Sequence, residues 1–467
     1  MSLAALGLDL GLSGARAAVV NESGELLGRG RVAGKPWQGG PAERDPEEWY
    51  EETVAAGRMA LEQAGHPGIA AIGVGALGPC PILMNASLRS LAPAPLFSLD
   101  QRAEATRQRL MAAHGLSSET LGPDHALPKL HWWREQEPSL IGRATCVVDA
   151  TGFLVARLTG RAVMDPITAE DYTAPGIAPP VPLPPLARAD SIAGPLLPGT
   201  AARLGLPPGI PVAVGSYDSY VDIWGSGARI PGDRCIVLGS TLILGRVAAE
   251  PEEVRGLRCQ PHIGEGRFLG GWTSAAGSLL DWSRGLLGDG ATDRGALASL
   301  MPGAGGLVML PYFAGERAPV WDPAARGAIL GATLATTAQE LARAAIDGVA
   351  LSALDIATRL PGEHDAAEAW HLAGGGARNE VLAQALADAL GQALALLAYA
   401  GEATAPALLA FAAIGRTVMP RVERRIAPDP ARHARFAQLY GIYRGLYPAL
   451  ANSMHELGHL ADRKEDR

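Results

Sequence analysis

A chain of 467 residues, 48% hydrophobic and 19% charged, is too long for one ordinary hydrophobic core and holds ample material for two globular domains. Its formal charge of -8 argues against a surface built to neutralise nucleic-acid phosphates. Its four cysteines, Cys80, Cys146, Cys235 and Cys259, lie too far apart for a zinc cluster or a disulfide framework. Small molecules are therefore the expected partners and a reducing cytoplasm the expected compartment. The segment MSLAALGLDLGLSG lacks a basic stretch followed by a long apolar one, so no signal peptide is expected.

The first apolar run, Leu6 to Asp9, turns at Gly11 to Gly14 and resumes at Ala17 to Val20. A second turn, Asn21 to Gly24, precedes an extended piece from Glu25 to Val32, and the three together predict a β-meander. A helix follows, with Asp45 as cap, Pro46 in its first position, acids in its first turn and Gly65 at its end. The run Ile69 to Gly75 reads as a buried strand. Between Pro166 and Pro211 proline is dense and periodicity weak, which predicts loops and short elements that cover the core without joining it. A short strand, VAVG, precedes GSYDSYVDIWGSGA near the middle of the chain.

The next segment, Cys235 to Val247, again sets a glycine and hydroxyl turn between two apolar strands. Because this pattern and the one at Leu6 to Val20 open the two halves of the chain, a duplicated fold is expected. Farther on, HLAGGGARNEVLAQALADALG reads as an apolar strand, three glycines and a helix. The most apolar stretch, Ala383 to Gly415, is interrupted by Asp388, Gln392, Gly401, Glu402 and Pro406. It is read as two buried helices, since a membrane-spanning helix needs about 20 uninterrupted apolar residues.

Phosphoryl transfer needs a cradle for phosphates, a carboxylate to hold Mg²⁺ and a positioned base. Asp9 ends a hydrophobic strand and is followed by Gly11, Ser13 and Gly14, small residues that let backbone N–H groups approach phosphate oxygens, with Arg16 adding charge. Gly239, Ser240 and Thr241 offer a second such turn, and the glycines from Gly374 precede a helix N-terminus, where amide donors meet the helix dipole. Asp218, in GSYDSYVDIWGSGA, is the candidate general base. Asp222 competes with it if the segment is helical, although the flanking Val221, Ile223 and Trp224 weigh against Asp222. The ten histidines show no metal-ligand spacing, and His125 and His262 read as surface or packing residues. Trp132 and Trp133 are expected to pack a helix.

Eight segments in order resemble the FGGY carbohydrate kinases. They are the turn Asp9 to Arg16, DQRAEA from Asp100, PKLHWWREQEP from Pro128, DATGFLVARLTGRAV from Asp149, and GSYDSYVDIWGSGA. LPYFAGERAPVWDPAARGAILG from Leu310, ELARAAIDGVA from Glu340 and GGGARNEVLAQALADALG from Gly374 complete the series. The resemblance implies an α/β protein of two actin-like, ribonuclease-H-like ATPase domains with ATP and sugar in the cleft between them, closing on substrate. Residues 1–232 are expected to carry the sugar site, the first phosphate loop and the base, and residues 233–467 the nucleotide site.

By position, Asp9 is implied as the magnesium-associated carboxylate, Ser13 and Gly14 as phosphate contacts beside Arg16, and Gly239 and Ser240 as the second phosphate turn. Gly277, Gly375 and Asn379 are implied as nucleotide contacts and Asp218 as the base. The sugar end departs from the family pattern. Gly78 and Pro79 stand where xylulokinases place a Met-His pair, and Ser98 replaces a tryptophan ahead of Asp100 and Arg102, which remain. Leu12 and Ala15 occupy phosphate-loop positions where hydroxyl residues are common. The expected activity is ATP- and Mg²⁺-dependent phosphorylation of a pentulose, related ketose or polyol, nearest to xylulokinases. A sugar kinase of other specificity and a non-catalytic sugar or nucleotide sensor are the alternatives; an actin-like chaperone or filament protein would not need DQRA, GERAPVWDP or Asp218. No nucleic-acid or membrane partner is expected, and a homodimer is left open.

Overall fold

The computed structural model describes residues 3–35, 42–97, 99–118, 120–362 and 369–462. Ser98 lies outside them. The chain divides into two compact units, Met1–Gly225 with Glu402–Arg421, and Ser226–Gly401 with Val422–Arg467.

In the first unit the expected meander is present as β1 (Ala4–Gly11), β2 (Gly14–Asn21) and β3 (Leu26–Ala33), joined antiparallel. Helix α1 (Pro46–Gln63) begins where the sequence predicts. The Asp45 carboxylate accepts from the Glu47 N–H at 2.9 Å, and the chain leaves the helix through Gly65 at φ 72°. Strand β4 (Ile69–Ala76) runs parallel to β1, and the sheet continues through β5 (Ile192–Pro195), β6 (Pro211–Ala213) and β7 (Ser216–Tyr217) in the order β3-β2-β1-β4-β6-β5, with β7 also paired to β4. The proline-rich stretch thus holds more than cover. Besides two short helices it supplies β5, an edge strand antiparallel to β6, because sheet pairing is a long-range contact that weak local periodicity does not reveal.

Strand β1 is buried on both faces, as the centre of a sheet covered on both sides must be. One cover comes from far along the chain, the helix Thr404–Ala413. It lies directly on Gly7 and Gly73, which face each other in the β1/β4 register. A Cβ at Gly73 would meet the Pro406 carbonyl oxygen at 1.9 Å, and one at Gly7 the Ala403 oxygen at 2.5 Å. Only glycine on both strands permits that approach.

The second unit repeats the plan. Strands β8 (Arg234–Leu238) and β9 (Leu242–Ala248) form an antiparallel hairpin, extended by β10 (Arg258–Pro261) and β11 (Arg267–Trp272). On the other side β8 pairs in parallel with β12 (Trp370–Ala373), followed by β13 (Leu394–Leu397) and β14 (Val422–Ile426), in the order β10-β11-β9-β8-β12-β13-β14. Each unit therefore opens on a hairpin whose first strand takes a parallel partner, the duplication that position along the chain predicts.

The stretch Ala383 to Gly415 contains two helices, as expected, but also a strand. Helix Glu380–Leu390 and helix Thr404–Ala413 flank β13, whose sequence LALL is fully buried; a four-residue apolar run carries no period that separates helix from strand. No helix among the described residues is long and apolar enough to cross a membrane.

Candidate active site

In the first unit the strand ends converge. Asp9 on β1 lies opposite Arg16 on β2 and beside Gly75 on β4, and Gly75 in turn pairs with Ser216 on β7. Helix α2 (Asp218–Gly225) starts directly after β7, so Asp218 and Asp222, four residues apart, share one helix face. Asp9 is buried, 6% exposed, and forms an ion pair with Arg16 at 2.5 Å. The charges of Asp9, Asp222 and Asp218 all act on the Arg16 guanidinium and hold its pKa up. Burial, reinforced by the Asp9 charge, pushes the Asp218 carboxyl up to about 6 even though Oδ1 accepts from the Ser219 N–H at 2.7 Å. Burial and Asp9 likewise raise Asp222. Asp222, whose apolar neighbours weigh against it in the sequence, stands on the face of Asp218 because of its i,i+4 spacing.

Asp9 thus pairs directly with Arg16, while Asp218 and Asp222, both raised by burial and by Asp9, act on the same guanidinium through charge alone. Among the described residues no group of three or more His, Cys, Asp or Glu side chains forms a protein cage for a metal. Mg²⁺ is ordinarily held by one or two carboxylates together with waters and phosphate oxygens. Beside Asp9 the β1–β2 turn has Leu12 and Ser13 exposed at its tip and Gly14 and Ala15 buried.

The position of Asp218 is fixed from behind. Ser216, fully buried, donates from Oγ to Asp165 Oδ1 at 3.0 Å, and its carbonyl accepts from Thr151 Oγ1 at 2.9 Å. Asp165 and Asp149 are both helix caps, Asp165 accepting from the Ile167 and Thr168 amides and Asp149 from those of Thr151 and Gly152. Burial pushes these carboxyls up to about 6 and about 7 respectively. Nothing local in the sequence marks this network, which joins residues 51 and 65 positions apart.

At the sugar end predicted from the sequence, Gly78 and Pro79, joined by a cis peptide, follow β4; Pro79 is buried, and a Cβ at Gly78 would lie 2.1 Å from Tyr217 Cε1. Asp100 and Arg102 hold each other. Arg102 Nε donates to both Asp100 oxygens at 2.9 and 2.8 Å, its Nη2 reaches Glu43 at 2.6 Å, and the guanidinium lies 5.3 Å from the centre of the Trp132 ring. Lys129 is buried and donates to the Phe97 carbonyl at 2.7 Å.

In the second unit a separate cradle lies at the carboxyl ends of β8, β12 and β13. Gly239 and Ser240, both exposed, form the turn after β8. The helix Gly277–Leu287 abuts this turn. The amides of Ala276 and Ser278 donate to the Ser240 carbonyl at 2.8 and 3.1 Å, the Gly277 amide donates to Gly239 at 3.1 Å, and a Cβ at 277 would lie 2.5 Å from the Gly239 oxygen. The amides of this helix start therefore brace the turn. After β12, Gly374 sits at φ 86° with the Leu238 carbonyl 2.3 Å from where a Cβ would be, and exposed Gly375 faces Gly401. The Asn379 side chain accepts from the Leu382 amide at 3.2 Å as cap of helix Glu380–Leu390. The structure therefore brings Gly239, Ser240, Gly277 and Gly375 to one end of the second sheet, with Asn379 at the head of the following helix, and gathers Asp9, Arg16 and Asp218 on the first unit.

Glu316 lies in GERAPVWDP, where nothing local in the sequence distinguishes it. It is buried, accepts from the Ser274 and Arg317 amides at 2.8 Å each, and is pushed up to about 8 by burial. It ties the segment after β11 to the loop that carries the motif.

Two family models match, the N-terminal domain of the FGGY family of carbohydrate kinases over residues 4–174 and its C-terminal domain over residues 235–414. The chain is 26% identical to xylulose kinase of Escherichia coli over 483 aligned residues, covering 95% of this chain and 99% of that one. It is 31% identical to glycerol kinase of Thermus brockianus, covering 83% and 85% respectively. The solved structure of gluconate kinase from Lactobacillus acidophilus superposes with a TM-score of 0.84 over 98% of this chain and all of that one, at 21% identity, a likeness of fold. With both domain models matched in order along a chain that folds as two α/β units, the protein belongs to the FGGY family of carbohydrate kinases.

Proposed function

We propose that the protein transfers the γ-phosphoryl group of ATP to a hydroxyl of a pentulose such as xylulose, or of a related ketose or polyol, with Asp218 as general base. The observation that carries this reading is the Asp218 carboxyl at the head of α2. It is poised at about 6 by burial and by Asp9 and is anchored through Ser216. A base is most effective with its pKa near the working pH.

One oxygen of Asp218 is engaged by the Ser219 amide, which orients the carboxylate and leaves the other for the acceptor O–H. As the acceptor oxygen forms its bond to the γ-phosphorus, its proton passes to Asp218; the bond from that phosphorus to the β-γ bridging oxygen breaks, and ADP leaves with the electron pair. Asp9 is the residue proposed to meet magnesium, with Arg16 balancing the carboxylates around it. Magnesium, when bound with the nucleotide, supplies charge neutralisation for the phosphoryl oxygens. Ser13 and Gly14 are proposed to offer donors to phosphate from the first unit. Gly239, Ser240, Gly277, Gly375 and Asn379 are proposed to hold the nucleotide on the second, Gly277 through its bare Cα since its amide is engaged with Gly239. Gly78, Pro79, Asp100 and Arg102 are proposed to shape the acceptor site. The Asp100–Arg102 pair acts there as a mutually fixed wall.

The kinship with xylulose kinases over nearly the whole chain supports a pentulose acceptor. A coupled ADP-release assay over ketoses, polyols and sugar acids tests the reading. Stimulation by xylulose or a related ketose or polyol is expected; no stimulation by any acceptor contradicts it.

A further inference from the structure

Tyr217, the last residue of β7, is 4% exposed, and its hydroxyl makes no hydrogen bond to any described residue. A buried phenol ordinarily finds a partner, and leaving one unpaired costs about 1–3 kcal/mol. A phenylalanine would fill the same volume without that cost. The hydroxyl thus calls for an explanation that packing does not provide.

The ring also has a particular neighbour. A Cβ at Gly78 would come within 2.1 Å of Tyr217 Cε1 and 2.3 Å of Cδ1. Gly78 and Tyr217 therefore act as one feature, position 78 giving up its side chain and the Tyr217 ring standing in that room. The feature adjoins Asp218, the next residue along the chain. Beyond burial, the charges that act on the phenol come first from Asp171, then from Tyr172, Asp149 and Asp165, and they hold it neutral. Asp149 and Asp165 are engaged as helix caps, and Tyr172 donates to the Val148 carbonyl. Surrounded by acids, a neutral phenol suits an uncharged hydroxyl better than the carboxylate of a sugar acid.

We propose that Tyr217 is a specificity-determining residue whose hydroxyl hydrogen-bonds a second hydroxyl of the acceptor, selecting neutral polyhydroxy acceptors over deoxygenated analogues and sugar acids. The proposal rests on the kinase reading above. A site built to bond a substrate hydroxyl discriminates against analogues that lack it, because its own buried group is then left unpaired.

The test is Tyr217→Phe, assayed with the best ketose or polyol acceptor and its singly deoxygenated analogues. The variant is expected to lower kcat/KM for the parent acceptor about tenfold, to leave one deoxy analogue and the KM for ATP unchanged, and so to lose discrimination against that analogue. Its ligand-free melting temperature should equal or exceed that of the wild type, since no internal bond is lost. Unchanged discrimination against every deoxy analogue overturns the proposal, as does a ligand-free melting temperature several degrees lower. If the wild-type protein shows no acceptor-dependent ADP release, the kinase reading fails on its own. The same acceptors then decide the role of Tyr217 through thermal shifts without ATP, where a smaller shift in the variant supports it, and equal shifts or none in the wild type overturn it.

Discussion

Replacing Ser216 by alanine probes the support behind the proposed base. The substitution removes one donor, at 3.0 Å, from Asp165, a carboxyl 3% exposed that keeps the Ile167 and Thr168 amides at 3.1 and 3.3 Å. While Asp165 is ionised the lost bond is one to a charge, worth about 1.5–3 kcal/mol; while it is protonated the bond is neutral and worth about 0.5–1.5 kcal/mol. Burial holds this carboxyl up at about 6, and the Ser216 hydroxyl, which favours the charged form, keeps it from rising further. Because the folded pKa lies above the ordinary 3.8, the contribution of Asp165 to stability is complete below about pH 4 and is lost as pH rises through about 6. Ser216→Ala should deepen that loss. The cost of the substitution is therefore expected to be about 1 kcal/mol larger at pH 8 than at pH 5. Denaturant unfolding at both pH values, fitted with a transition for each unit, measures it. An equal cost at the two pH values, or no cost at either, refutes the anchoring of Ser216 by Asp165.

Asp149→Asn keeps the cap geometry at Thr151 and Gly152 while removing a charge that burial disfavours, so the variant should match or exceed wild-type stability at pH 8; a loss above about 1 kcal/mol in denaturant unfolding contradicts this. Gly374→Ala places a Cβ 2.3 Å from the Leu238 carbonyl at φ 86°, and is expected to destabilise the second unit by about 1–3 kcal/mol and to raise the KM for ATP; wild-type values of both in unfolding and kinetic assays count against the cradle. Asp9→Asn should shift the Mg²⁺ activation curve to higher concentration, and an unshifted curve in a magnesium titration of ADP release speaks against its proposed role.

Much of the fold is legible where the determinants are local. The β1–β2–β3 meander follows from apolar runs punctuated by Gly11 to Gly14 and Asn21 to Gly24, and α1 from Asp45, Pro46 and Gly65. Features set by distant partners are not legible. Strand β13 is four apolar residues without a period, β5 is defined by its pairing with β6, and the helix Thr404–Ala413 belongs to the first unit only because Gly7 and Gly73 leave room for it. The same division holds at the site. Asp9, Asp218 and the glycine turns stand in recognisable motifs, whereas the Asp165–Ser216–Thr151 support and the Gly78–Tyr217 contact arise from residues far apart in the chain. Asp222 has apolar neighbours in the sequence, yet on a helix those neighbours point elsewhere and Asp222 falls in line with Asp218.

The role of Asp218 is measured most directly by the single-turnover rate of phosphoryl transfer in Asp218→Asn with saturating ATP, Mg²⁺ and the best acceptor, alongside the affinity for each ligand. With Asp218 as the base, the rate is expected to fall about 100-fold or more below wild type with ATP and acceptor affinities retained. A variant that transfers the phosphoryl group at near wild-type rate would contradict it.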